Sequence, residues 1–241
     1  WEHRYGLDPN SAAGEDGALG DPDGDGISNV DEFRQGTHPR GTFRRYFAEG
    51  VNSSFFTTEF SLVNPSSNPV TVVLTFFTSD ATRATLPLTL ASWARATVNA
   101  RDLPALADLT FSTTVEADAL VVVDRRMWWD ETGYGGHAET AIEHAATRWY
   151  FAEGATHSGF DLFYLLQNPE DTAATIEIRY LLPEGAPIVK SYKVPARSRY
   201  TIWVDLEDEA LALTDVSAVI TSTNGVPIVV ERAMYWTPPG R

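Results

Sequence analysis

The sequence predicts an all-β chain: two tandem antiparallel β-sandwiches preceded by a small helical module. Three observations carry this. A unit of roughly ninety residues occurs twice. Short apolar runs are broken by Pro, Asn, Gly and Ser about every 8–12 residues. Aromatic residues make up 12% of the chain, with seven Trp among them, and large aromatics favour strands.

The duplication is read directly. YFAEG stands at 46–50 and again at 150–154, an offset of 104. Asn64-Pro65 recurs as Asn168-Pro169, and Arg95-x-Thr97-Val98 as Arg199-x-Thr201-Ile202, both at 104. VVVDRRMWW (121–129) matches IVVERAMYW (228–236) at 107, which places a small insertion near Asn224-Gly225. Four blocks in one order mark an internal repeat.

Taken in order, residues 1–6 read as the tail of a helix ended by Gly6. Residues 28–35 (SNVDEFRQ) form a second short helix, stopped by Gly36. The first sandwich is expected at 43–130, a connector at 131–147 and the second sandwich at 148–241, each sandwich Ig-like in having two antiparallel sheets. Within 174–182, Ile176, Ile178 and Tyr180 share one face, while Thr175, Glu177 and Arg179 share the other. The stretches 102–108 and 205–213 each have room for a helical turn. The connector is either a linker or a further strand. The chain opens at Trp1 and shows no signal peptide, so it reads as a piece of a longer product.

Bulk numbers restrict function. With 43% hydrophobic and 21% charged residues the chain is core-forming material. A net charge of −15 argues against nucleic acid and anionic membrane surfaces, and makes a cation the natural counterpart. No apolar run reaches the roughly 18 residues of a membrane helix. There is no cysteine, so disulfides and thiol catalysis are excluded.

The counterpart is expected at DPDGDGISNVDE, residues 21–32. Asp21, Asp23 and Asp25 fall at positions 1, 3 and 5 of a calcium loop, and Gly26 at the turn position. Ile27 offers its carbonyl at 7, Asn29 stands at 9 and Glu32 at 12. Ca2+ takes six to eight hard oxygens at about 2.3–2.6 Å, and this spacing delivers them to one point. Residues 1–42 are therefore read as a calcium-binding module. Asp8 and Asn10 are candidate extra ligands.

Residues 1–40, with W…YGLDP, DPDGDGxxNxxE and GTHP, resemble the thrombospondin type 3 and dockerin-like calcium repeats of secreted bacterial proteins, which are EF-hand-like. His38 stands where that family has Asp. The run YFAEG…NP…R-x-T…ERAMYW, over 43–237, resembles tandem repeats of secreted bacterial surface proteins. The resemblance implies a secreted, extracellular location at a cell surface.

Catalytic signatures are absent: there is no HExxH, G-x-S-x-G or phosphate loop. His137, Glu139, Glu143 and His144 pose a transition-metal site against a polar linker. Glu49 is expected to pair with Arg125 or Arg126, and Glu153 with Arg232. Trp128, Trp129, Trp149, Trp203 and Trp236 are assigned to the core, and Trp93 to the surface. The function expected is a non-catalytic, calcium-rigidified building unit of a surface layer, stalk or fibre, self-associating or joined to other surface proteins. The competing reading is an adhesin or carbohydrate-binding accessory module, with a polysaccharide as ligand.

Overall fold

The structure is a computed structural model that describes residues 1–129 and 135–237. The protein is all-β, built of several antiparallel sheets. Packing divides it into two compact units. The first comprises Trp1–Tyr46, Gly50–Phe76 and Arg83–Glu143. The second comprises Phe47–Glu49, Phe77–Thr82 and His144–Arg241.

The first unit has one sheet in the order β1 (Phe43–Phe47), β8 (Ser112–Ala117), β4 (Val70–Phe77), β5 (Arg83–Leu90). Its other sheet runs β10 (Gly135–Thr140), β9 (Val122–Trp129), β3 (Phe56–Val63), β6 (Arg95–Asn99), and a small ribbon joins β2 (Val51–Asn52) to β7 (Leu109–Thr110). The second unit repeats the plan. Its sheets are β11 (Arg148–Phe151), β16 (Ser217–Ser222), β13 (Ala174–Leu181), β14 (Ile188–Val194), and β15 (Ser198–Trp203), β12 (Phe160–Asn168), β17 (Val229–Trp236). In the two main sheets the orders agree strand for strand, except that β10 has no counterpart among the described residues of the second unit, where the β2–β7 ribbon is reduced to a single bridge, Ala155 with Asp215. The pairs around β3, β9, β12 and β13 are antiparallel.

Strand periodicity builds both cores. Ile176, Ile178 and Tyr180 are wholly buried while Thr175 and Arg179 are exposed, the alternation that a two-sided sheet demands. They pack with Leu162, Tyr164, Leu166, Ile220 and Val230. In the first unit Phe60 meets Phe76 at 6.0 Å between centroids, and Phe76 meets Phe111 at 5.5 Å, edge to face.

The repeated sequence blocks have repeated physical jobs. The Asn64 side-chain amide donates to the carbonyls of Asn68, Leu90 and Ala91. Asn168 donates to Thr172, Val194 and Pro195. Each buried Asn thus closes the loop that follows its own strand and ties it to the end of a second. The glycine ending each YFAEG is a close approach. A Cβ on Gly50 would lie 2.4 Å from the Phe111 ring, and one on Gly154 would lie 2.8 Å from Leu162.

Two details differ from expectation, and the connector takes one of its two expected forms. The insertion is split: Leu106 and Leu211, like Val115 and Ile220, correspond at 105, so one residue enters before Glu209 and the rest near Asn224-Gly225. In the connector, 135–140 forms strand β10 on the free edge of β9, while 130–134 lie outside the described residues. None of the five Trp assigned to the core is fully buried. Trp128, Trp129 and Trp149 are half-buried, and Trp203 and Trp236 are exposed. The core takes Phe, Tyr and aliphatic side chains, and indoles too large for it sit at the sheet margins. Trp93 is exposed, at a turn with φ 55° that Arg197 repeats at φ 48°. The stretches 102–108 and 205–213 do carry single turns of 3-10 helix, Pro104–Leu106 and Glu209–Leu211.

Replacing Asn168 by Ala strands three carbonyls that lie in the interior or at its edge. The expected loss is about 2–4 kcal/mol in chemical unfolding, with the fold retained. A loss below about 0.5 kcal/mol would show that water replaces the amide freely.

Candidate metal centre

The acidic loop folds around its own backbone. Asp21 Oδ1 accepts the N–H of Gly24 at 2.9 Å and of Asp25 at 3.1 Å, and its Oδ2 accepts that of Gly26 at 3.0 Å. Asp25 Oδ1 accepts the N–H of Ile27 at 2.7 Å. Gly26 has φ 87°, the left-handed conformation that the tight turn needs. One ligand oxygen from each of Asp21, Asp23 and Asp25 lies within 4.8 Å of the others. Among the described residues no other such group of three exists.

Helix α1 (Asn29–Gln35) follows, with Ser28 at its N-cap and Gly36 at its C-cap with φ 72°. Asn29 is buried. Its side-chain amide donates to the carbonyls of Glu15 and Gly17, both at 2.7 Å, while its Oδ1 accepts no hydrogen bond. Glu32 is buried one turn into the helix. Thr37 donates to its Oε1 at 3.4 Å, and its Oε2 has no partner. Glu32 does not join the tight group of three aspartates. Asp23 Oδ2 is likewise buried without a hydrogen bond. The Ile27 carbonyl accepts no hydrogen bond among the described residues.

Burying carboxylates together has a cost that shows in their titration. Burial first, then the negative charges of Asp23, Asp25 and Glu116, push Glu32 up to about 9. Burial and Asp25 hold Asp23 above the usual carboxylate range. The cation nearest this group is Arg44 on β1. Its Nη2 is 2.6 Å from Asp25 Oδ2 and 3.9 Å from Asp23 Oδ2, and its Nε is 3.3 Å from Glu116 on β8. One guanidinium cannot neutralise this many carboxylates. The donor set fits a hard divalent cation: it is all oxygen, three of its buried oxygens (on Asp23, Asn29 and Glu32) accept no hydrogen bond, and its charge is under-compensated.

The remaining candidates fare differently. Asp8 Oδ1 accepts the backbone and side-chain N–H of Asn10 at 2.9 and 3.3 Å, a local turn away from the loop carboxylates. His38 is no ligand. It is fully buried, edge-on to Tyr5 at 4.6 Å, with Nε2 against Thr71 of β4 and Nδ1 accepting from the Arg40 N–H. It fastens residues 1–42 to the first sheet. Glu139 pairs with Arg125 and Glu143 with Arg45, so the connector's acids serve ion pairs. Arg126 pairs with Glu59. Glu153 does pair with Arg232, at 3.4 Å, but its carboxylate is 74% exposed, which makes the pair worth well under about 1 kcal/mol. Sequence reading missed Arg44 and Glu116, which carry no motif and reach the loop only through the fold.

No protein-family model matches the chain, and no curated protein matches it. Among solved structures, one titled Thermotoga maritima 1070 is similar over 42% of this chain and 94% of its own, with a TM-score of 0.40 and 11% identity. The Anabaena sensory rhodopsin transducer is similar over 38% of this chain and 91% of its own, with a TM-score of 0.33 and 25% identity. Likenesses this loose bear on neither fold family nor function.

Two outcomes are expected. A Glu32 carboxyl raised from its ordinary value favours the fold when protonated, so its contribution is lost as pH rises from about 4.5 towards 9. In chelator at pH 8, Glu32→Gln should therefore raise the unfolding midpoint and abolish any shift on adding calcium. A lower midpoint in the variant would contradict this. His38 works in the opposite window. Burial lowers it to about 4, so its stabilising effect, full above 6.5, is lost as pH falls from there towards 4. A His38→Gln variant should flatten that acid limb of a stability–pH curve.

Proposed function

We propose that the protein is a non-catalytic, extracellular structural unit whose N-terminal loop is stiffened by calcium. One observation carries the reading: Asp23 and Glu32 each place a buried carboxylate oxygen that accepts no hydrogen bond in a loop that meets the calcium pattern at every position. Asp21, Asp23, Asp25, the Ile27 carbonyl, Asn29 and Glu32 would hold the ion, as the calcium-loop pattern assigns them. Bound there, calcium supplies the positive charge that Arg44 alone does not.

The loop's own contacts make occupancy mechanical. Asp25 and Glu116 grip Arg44 of β1, His38 grips Thr71 of β4, and Asp16 holds Arg40 at 2.9 Å. Neutralising the aspartates removes the repulsion that loosens this seam, so residues 1–42 become one body with the sheets they lie on. Extracellular modules of this type bind calcium at about 10⁻⁴–10⁻³ M, which suits a secreted protein and a cell surface. The thrombospondin type 3-like and surface-repeat resemblances point the same way. No described helix is long and apolar enough to cross a membrane.

A second reading, an adhesin or carbohydrate-binding module, has its own support: Trp203 is exposed and its ring lies 5.4 Å from that of Phe163 on the neighbouring strand, tilted by 33°. Calorimetry with calcium up to about 10 mM, followed by electron microscopy with and without the ion, tests the proposal. Saturable heat and ordered assemblies in calcium are expected. No heat at any concentration would sink the calcium reading, and monomers that retain polysaccharide would favour the adhesin.

A further inference from the structure

The second unit contains the motif Phe-Ala-Glu in two settings. Phe47, Ala48 and Glu49 are grouped with this unit and are almost wholly buried there. The Glu231 carboxylate of β17 accepts the Ala48 N–H at 3.0 Å through Oε1 and the Glu49 N–H at 3.2 Å through Oε2. The Tyr235 hydroxyl, further along β17, donates to Glu49 Oε1 at 2.6 Å. In the same unit the Phe77–Thr82 turn lies beside this segment's sheet, with Thr78 O accepting the Arg199 N–H.

The other copy of the motif, Tyr150–Glu153, stands in the open. Tyr150 is 68% exposed, and Ala152 and Glu153 are exposed. The N–H groups of Ala152 and Glu153 make no hydrogen bond among the described residues. Beside them, Leu181, Leu182 and Pro183 of the β13–β14 turn complete an open cleft of about 260 Å³. That turn corresponds, at an offset of 104, to Phe77–Thr82. Both halves of the buried arrangement are thus present a second time, uncovered: two N–H groups without a hydrogen bond, and the counterpart of the Phe77–Thr82 turn, which is polar there and apolar at Leu181–Pro183.

We infer that the Tyr150–Glu153 ledge is a docking site for a further β repeat of the same construction, whose strand corresponding to Val229–Trp236 presents its glutamate to the N–H groups of Ala152 and Glu153. The partner's chemistry is read from the buried twin: a bidentate carboxylate with a tyrosine hydroxyl four residues on. A second copy of this chain does not supply it. Glu231 is already taken by Ala48 and Glu49, and its counterpart in the first unit is Asp124. That residue is one methylene shorter, exposed and bonded to Thr140, and it neighbours the exposed Arg126. The inference gives the building-unit reading its contact surface and rests on that reading, but calcium has no part in it.

The test lengthens the chain. Residues 144–237 are repeated once after residue 237, and amide hydrogen exchange is followed in the parent and the extended protein, both in chelator. In the parent, Ala152 and Glu153 should exchange at least 100-fold faster than Ala48 and Glu49. In the extended protein they should slow to match those two. Changing the added copy's counterpart of Glu231 to Ala should restore fast exchange, while the added copy's own β-sheet amides stay protected. Fast exchange at Ala152 and Glu153 beside a folded added repeat would overturn the inference. So would a parent chain that dimerises with those two amides protected. Because chelator is present throughout, failure of the calcium reading cannot produce either result.

Discussion

Negative charge packed against a sheet is the constraint on which the N-terminal third depends. Glu32 and Glu116 are buried, the Asp23 side chain is 1% exposed, and Arg44 is the cation that meets this cluster. Repulsion between neighbouring carboxylates can be relieved in three ways: by protons, by the guanidinium or by a metal ion. A proton is favoured at Glu32, whose carboxyl is pushed up to about 9 by burial and its acidic neighbours. The guanidinium is shared among Asp25, Asp23 and Glu116, so it satisfies none of them fully. A divalent ion is the remedy that neutralises several at once without protonating the ligands.

Much of this was legible in the chain, and the reasons are physical. The calcium-loop spacing is local, since six donors within twelve residues can be read in one pass. The β13 alternation was equally plain, because Ile176, Ile178 and Tyr180 have no polar residue among them. The duplication showed because Asn64 and Asn168 answer the same demand, three carbonyls at the end of a hairpin, for which no other side chain has the right donors. What stayed hidden depends on approach between distant segments. Arg44 and Glu116 meet the loop only once β1 and β8 lie side by side. His38 looked like a lost ligand, because a substitution at a familiar position says nothing of the strand it packs on. The indoles were misplaced because hydrophobicity alone does not say whether a ring of that size fits between two sheets.

Duplication followed by divergence leaves two copies of one plan with different outer faces. The second unit's β15–β12–β17 face carries Gln167, Arg199 and Glu231, all nearly buried. The corresponding residues of the first unit, Val63, Arg95 and Asp124, are exposed. The inward faces changed far less: Phe60 and Tyr164, Leu62 and Leu166, Val123 and Val230 remain large and apolar. Core positions are held by packing in either copy. Outer positions are free to follow whatever covers them.

Two faces of opposite character on one repeated plan also give such a chain a direction. Were both copies to carry a glutamate at the β17 position and a ledge at the β11 end, every repeat would be able to cap every other, in either order. Asp124 removes that symmetry. Its carboxylate reaches one methylene less far from the strand than that of Glu231, and Thr140 of β10 already holds it. Strand β10 reinforces the difference by covering the edge of β9, whereas β17 has no such strand among the described residues. An uncovered edge invites pairing and a covered one refuses it. Among the described residues, then, the two copies differ at this position in one methylene, Asp124 against Glu231, and in one strand, β10.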